Sequence, residues 1–206
     1  MKRLFLTRDV FLAVRDAIHG DCIDFGAGMS RYKPMILERA KKYVTMDIQN
    51  FPGIDIVGDV QNPPLQDASF DTVLSTHVLE HVAEPWVMVE HMARVLRPGG
   101  TAILMTPFMY PEHADPHHYF NFSEAGLRSL FERAGLQVSL CQKYGGIFAI
   151  MSETVKQKFF SPYHGRLPWW KRRLFSVLQK IFQGLNVLFP PGIAYANVVC
   201  VAQKPA

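Results

Sequence analysis

Apolar residues in this chain follow two rhythms. Dense runs of strand length occupy residues 21–26, 43–48, 53–59, 70–75, 101–106, 136–144 and 194–202. Between them, apolar positions recur every three or four residues, the spacing of one helix face. That spacing predicts a helix over about 3–19 with Leu4, Phe11, Val14 and Ile18 turned inward, and others over 29–41 and 84–97. A fourth runs from a Ser123 cap through Leu127, Leu130 and Phe131 to about Gly135. Pro98-Gly99-Gly100 is read as the stop of the third helix. Strands alternating with helices specify an α/β architecture, a parallel sheet covered on both faces. A length of 206 residues fits one domain over 1–206.

The first strand leads into Asp24-Phe25-Gly26-Ala27-Gly28-Met29-Ser30. Paired glycines let the chain turn sharply and leave main-chain N–H groups open to a ligand at the start of the next helix. Glycine pairs also end many strands for turn reasons alone, so the following residues decide the matter. A dinucleotide fingerprint needs a third glycine where this chain has Arg31. What recurs instead is an acid at the end of each of the first three strands: Asp24, Asp47 and Asp59. Open α/β sheets bind ligands at this rim, and acids there suit ribose hydroxyls, an exocyclic amine and net positive charge.

These residues carry a resemblance. DFGAG at 24–28, Asp47, GDV at 58–60, FDTVLSTHVLEHV at 70–82 and RVLRPGG at 94–100 are similar to class I S-adenosylmethionine-dependent methyltransferases of the type 11 group. The likeness spans roughly residues 20–150, and TPFMYPEHADPHHYFNFSEAGL at 106–127 resembles members encoded with surface-glycan enzymes. It implies a Rossmann-like, seven-stranded, mostly parallel sheet whose last strand is antiparallel, with S-adenosyl-L-methionine as cofactor. The methionine moiety then lies at Asp24, Phe25, Gly26 and Gly28, and the ribose at Asp47 and Ile48. The adenine edge falls at Asp59 and Val60, and Thr76 and His77 stand beside the sulfonium. No Asn-Pro-Pro-Tyr or Asp-Pro-Pro-Tyr follows the fourth strand, which argues against transfer to adenine.

Residues 145–192 exceed that plan. Trp169-Trp170, then Lys171-Arg172-Arg173, precede Leu174, Val177, Leu178, Ile181, Phe182, Leu185 and Phe189, ending at Pro190-Pro191. The apolar positions have helical spacing with basic, aromatic flanks, the composition of an interfacial helix. Two readings stand: a helix packed on its own sheet or on a second subunit, and a helix on an anionic membrane surface through residues 166–189. Charge sharpens the second. From Thr154 to Ala206 there are eight basic residues and no acid, so the net +4 of the chain conceals −4 over the first 153 residues. The face is too apolar for a nucleic-acid track. No apolar run is long enough to span a membrane. Arg8 and Asp9 interrupt the N-terminal apolar run, arguing against a signal peptide. Cys22, Cys141 and Cys200 form no C-x-x-C, so a reducing cytoplasm is expected, with the protein peripheral to a membrane if the second reading holds.

Two histidine groups are candidates for chemistry. His77-Val78-Leu79-Glu80-His81 is literally H-x-x-E-H, which on a helix would pair His77 and His81 around zinc with Glu80 as base. Following an apolar strand of a nucleotide-type sheet, it reads instead as pocket lining and turn capping. The second group is His113, Asp115, His117, His118 and Tyr119. His113 and His117 could bind metal, but solvated loop histidines are commoner, and no metal is expected at either group. His117 or His113 is expected as the base that takes an acceptor's proton, with Tyr119 orienting it. The acceptor is a small molecule, a glycan or a lipid-linked compound, methylated at oxygen. A nicotinamide oxidoreductase and a non-catalytic methyltransferase-like binding subunit are the competing functions; oligomeric state is open.

Overall fold

The computed structural model describes residues 5–113, 117–160, 168–189 and 192–206. Leu4, Asp115, Arg166 and Pro190-Pro191 therefore lie outside the described residues. Seven strands are present: β1 (Asp21–Phe25), β2 (Lys42–Asp47), β3 (Ile56–Val57), β4 (Phe70–Thr76), β5 (Leu96–Pro107), β6 (Gln137–Tyr144) and β7 (Asn197–Gln203). They form one sheet in the order β3-β2-β1-β4-β5-β7-β6. Pairs from β3 to β5 are parallel, whereas β7 runs antiparallel between β5 and β6.

Period-two alternation divides the core between the sheet's faces. Ile23, Phe25, Val73, Ala102, Leu104, Val198 and Cys200 share one cluster with α3 (Pro85–Val95) and α4 (Glu124–Arg133). Cys22, Leu74, Ile103, Met105, Val199 and Val201 share the other with α1 (Thr7–Val14) and α2 (Lys33–Leu37). The central strands are buried on both sides, which is why their sequences run apolar with little polar relief.

Several elements are shorter than their sequences suggest. The first helix covers only Thr7–Val14 before a 3-10 turn at Arg15–Ala17, and Ile18 is buried in extended chain. Asp9 accepts the Leu6 and Phe5 N–H groups at 3.0 and 3.3 Å, fixing where that helix starts. The second begins at Lys33 rather than 29, because Gly28 and Ser30 take φ of 51° and 48°, incompatible with a right-handed helix. In the third strand Asp55 accepts from the Thr45 N–H and hydroxyl, both at 2.9 Å, so only Ile56–Val57 remain to pair. The helix expected to stop at Pro98-Gly99-Gly100 ends at Val95; Leu96 is drawn fully into the core, and the glycines belong to the irregular start of β5. Ser123 does cap α4, accepting the Gly126 N–H at 3.1 Å.

Between β6 and β7 stand two helices, α5 (Ile147–Phe160) and α6 (Trp169–Leu188), packed on each other. Only the second was legible in the helical spacing. Phe160 meets Phe175 with ring centroids 5.2 Å apart, and the buried Asn186 accepts the Gly146 N–H at 2.7 Å.

Candidate active site

The turn after β1 is built on alternation. Gly26, Gly28 and Ser30 all have positive φ, so every second residue bends the chain the left-handed way. A Cβ on Gly26 would lie 2.3 Å from Val78 Cγ2, so β4's continuation packs directly against the turn. A Cβ on Gly28 would meet nothing within 4 Å, so that side opens onto free space. Met46 C=O accepts the N–H groups of Gly26 and Ala27 at 2.8 and 3.0 Å, and Asp47 Oδ2 accepts that of Gly28 at 2.9 Å. These main-chain donors, expected to face a ligand, are held by β2 instead.

All three rim acids sit where the strands end, and each is engaged. Asp24 is buried and accepts from the Tyr43 hydroxyl at 2.6 Å. Its pKa is pushed up to about 7, chiefly by burial, with the Tyr43 hydrogen bond opposing and the Asp47 charge adding. Asp47, also buried, accepts the Gln49 N–H at 2.9 Å through its second oxygen. Asp59 accepts the Gln61 N–H at 2.8 Å. A carboxylate has about four lone-pair sites, so Asp47 retains capacity for ribose hydroxyls. Ile48 and Met29 stand 66% and 76% exposed beside it, apolar surface of the kind on which a base can lie. The residues fit a nucleoside. Phe25 is fully buried in the core, so only its main chain can take part, and its C=O accepts the Ser75 hydroxyl at 3.1 Å. Val60 is buried, and Thr76 pairs with Met105 at the end of β4.

A cavity of about 1110 Å³ extends from the starts of α1 and α2, past His77, to the ends of β5 and β7, with α5 and α6 as its far wall. Asp24, Asp47 and Asp59 are not among its lining residues; His77, Glu80, His81 and His113 are. His77 has φ of 55°, and its Nε2 lies 3.3 Å from Thr7 Oγ1. Leu79–His81 form a single 3-10 turn, so His77 and His81 do not share a helix face and the H-x-x-E-H pattern lacks the zinc-protease geometry. Glu80, read from sequence as a cap of the turn, is completely buried; its Oε2 accepts from the Thr106 hydroxyl at 3.2 Å. Burial works to raise its pKa, but the His77 and His81 rings outweigh it and hold the carboxyl below its usual range.

The second histidine group divides. His113 lines the cavity against His81, ring centroids 4.8 Å apart, and burial lowers its pKa. His117 is exposed, giving its carbonyl to His81 Nδ1 at 2.6 Å, and its ring faces the half-exposed Tyr119. Neither lines the cavity. Tyr110, which sequence reasoning passed over, donates to Glu153 at 3.1 Å and ties the chain after β5 to α5.

The sheet order and the rim are those of the Rossmann-like methyltransferase fold, and the matching sequence is similar to S-adenosylmethionine-dependent methyltransferases. Residues 23–104 match the methyltransferase domain family, which takes in the glycine turn, the three rim acids and strands β1 to β5. A probable S-adenosylmethionine-dependent methyltransferase of Mycolicibacterium smegmatis is 30% identical over 134 residues, 57% of this chain and 52% of that protein. The chain spans about half the length of the curated relatives it matches. Among solved structures, a Bacillus halodurans protein assigned as a methyltransferase superposes with TM-score 0.62 at 18% identity, over 97% of this chain and 100% of that one. Phosphoethanolamine N-methyltransferase 2 of Haemonchus contortus, solved with S-adenosyl-L-methionine, gives 0.61 at 14% identity, covering 96% and 53%.

Proposed function

We propose that this protein transfers the methyl group of S-adenosyl-L-methionine to an oxygen of a hydroxylated acceptor held in the cavity, and that the acceptor is lipid-linked. The observation that carries the reading is the cavity's far wall, which is made by the same two helices that present an uncovered apolar face. On α6, Trp170, Leu174, Val177, Ile181 and Leu188 form one stripe at helical spacing, each 47% exposed or more. Lys171, Arg172, Arg173 and Lys180 flank it. Phe175, Leu178, Phe182 and Leu185 are less exposed and belong to the side on which α6 meets α5. A bare apolar stripe edged with cations suits an anionic lipid surface. Its neighbours Ala149, Ser152, Glu153, Lys156 and Gln179 line the cavity, so a headgroup could enter while its chains stay in the bilayer. No helix among the described residues is long and apolar enough to cross a membrane.

The bound cofactor supplies a carbon on a sulfonium: the acceptor oxygen's lone pair forms the new O–CH3 bond as the C–S pair returns to sulfur. This chain's part is to orient and to handle the proton. Ser152 and Asn197 line the cavity, and their buried Oγ and Oδ1 have no hydrogen-bond partner among the described residues, which suits them to acceptor hydroxyls. His113, held neutral by burial, accepts the proton that the oxygen loses, a service worth about 10²–10⁴-fold. Orientation accounts for most of the remainder. His117 and Tyr119 are not among the cavity's lining residues, so neither is assigned the proton.

Labelled methyl donor given to cell extract split into lipid, glycan and small-molecule pools should mark the lipid pool. Exchanging Lys171, Arg172 and Arg173 for Gln should lower both that labelling and retention on vesicles containing anionic lipid. Labelling confined to a water-soluble pool, or no vesicle retention by the unaltered protein, overturns the lipid assignment.

A further inference from the structure

Three acceptors of positive charge meet at one corner of the cavity with nothing between them. Glu80 Oε1 is buried and has no hydrogen-bond partner among the described residues. His81 Nε2 lies 3.9 Å from it. His113 completes the group, and the ligand atoms of the three residues all lie within 4.8 Å of one another. We propose that Glu80, His81 and His113 form a binding site for a divalent first-row transition-metal ion facing the cavity.

Proton bookkeeping carries the inference. His81 Nδ1 stands 2.6 Å from the His117 carbonyl, and His113 Nδ1 stands 3.2 Å from the Pro111 carbonyl. A carbonyl only accepts, so each ring in its neutral form carries its proton on Nδ1 and keeps a lone pair on Nε2. A carboxylate oxygen with no hydrogen-bond partner among the described residues thus stands near His81 Nε2, with a ligand atom of His113 within 4.8 Å of the group. Leaving a buried anionic oxygen unsatisfied is costly, and a cation removes the cost at once. Nδ1 bonded to a backbone carbonyl is also the outer-shell arrangement that fixes the tautomer of a metal-ligating histidine.

The surroundings hold the ligands in place. Thr106 anchors the other Glu80 oxygen, and the Tyr119 N–H donates to the Glu80 carbonyl at 2.8 Å. His118 accepts the His113 N–H at 3.3 Å and turns its other nitrogen to the Phe120 carbonyl at 3.0 Å, which removes it as a ligand. His77 Nδ1 lies 3.6 Å from Glu80 Oε1, beyond hydrogen-bond reach. Ligands at about 2.1 Å from an ion stand roughly 3.4 Å apart in a tetrahedron, so the side chains close by about 1 Å on loading. Two imidazoles and one carboxylate favour Zn²⁺, Fe²⁺ or Co²⁺ over Mg²⁺ or Ca²⁺, which prefer all-oxygen shells. Three protein ligands on a cavity wall leave a coordination position open to the acceptor. An ion there lowers the pKa of a bound hydroxyl, in place of proton capture by His113. That role rests on the transfer reading above; occupancy of the site does not.

The test uses the full chain, free of any histidine tag and stripped with chelator, titrated with Co²⁺ and with Zn²⁺ in the absence of cofactor and acceptor. One equivalent should bind, with visible Co²⁺ absorption bands. His113→Ala and Glu80→Gln should each weaken binding by at least about tenfold, while the remote His91→Gln should leave it unchanged and His77→Gln should weaken it less than His113→Ala. Circular dichroism of each variant separates loss of site from loss of fold, and His113→Ala, on a loop, serves if Glu80→Gln does not fold. Absence of binding at millimolar metal, equal affinity in His113→Ala, or loss in His77→Gln equal to that in His113→Ala each overturns the site.

Discussion

The two edges of the sheet hold acids in opposite ways. At the edge where the parallel strands begin, Asp21 and Asp71 share one guanidinium: Arg97 reaches Asp71 at 2.7 Å and Asp21 at 3.2 Å. At the edge where they end, Asp24, Asp47 and Asp59 have no Lys or Arg partner among the described residues. Tyr43, main-chain N–H groups and Gln61 satisfy them. The first arrangement is complete within the chain. The second leaves the acids without a cation, and burial pushes Asp24 up to about 7. Acids that a fold leaves without a cation, at the rim where such sheets bind ligands, are candidates to hold a cationic ligand. A sulfonium nucleoside with an α-amino group answers that description.

Three changes would break or sharpen this contrast. The largest effect belongs to Asp47→Ala. Hydrogen bonds to a charged group are worth about 1.5–3 kcal/mol each, so losing two ribose contacts should weaken cofactor binding about 100-fold or more. The Gly28 N–H loses its partner as well. Unchanged affinity by calorimetry would remove the ribose assignment.

Asp24→Asn should separate stability from binding. A carboxyl whose pKa rises from 3.8 to about 7 on folding contributes stability that is full below 3.8 and is lost as pH climbs through about 7. The wild-type fold therefore carries the whole penalty at pH 8, on the order of a few kcal/mol. The amide variant should unfold at higher temperature than wild type at pH 8, with the gap shrinking towards pH 4. Wild-type affinity for the cationic cofactor should meanwhile rise as pH passes 7, and the variant should show no such rise. Parallel melting curves at both pH values would contradict a neutral, buried Asp24.

Arg97→Gln should produce the smallest change, because the guanidinium is partly solvated. Burial works to raise the Asp71 pKa, but Arg97 and the Asp21 N–H outweigh it and the carboxyl titrates low. Stability from this group is present above its unfolded value and is lost as pH falls through the depressed one. The variant should lose this increment at neutral pH and lack the corresponding acid-side decline, with cofactor affinity untouched. A loss of cofactor affinity equal to that of Asp47→Ala would erase the distinction between the two edges.

Much of the fold was legible because its signals are local. A strand buried on both faces must be a short apolar run, and an acid closing that run must fall at the strand's end. Asp24, Asp47 and Asp59 could thus be placed from spacing alone. Element lengths were overestimated where one side chain ended the regular run, as Asp55 does for the third strand and the burial of Leu96 does for α3. The helix α5 escaped notice because its apolar residues are not confined to one face, so no stripe announced it. The burial of Glu80 was equally hidden, because it depends on Thr106 of β5, 26 residues along the chain.

Periodicity, the glycine turn and acids at strand ends are properties of neighbours in the chain, and the sequence by itself determined them. The cavity, its wall of α5 and α6, and the meeting of Glu80 and His81 with His113 were decided only in three dimensions. They depend on which strand ends the sheet order brings side by side. No window of sequence contains that order, because it follows from how two faces of a sheet are buried at once.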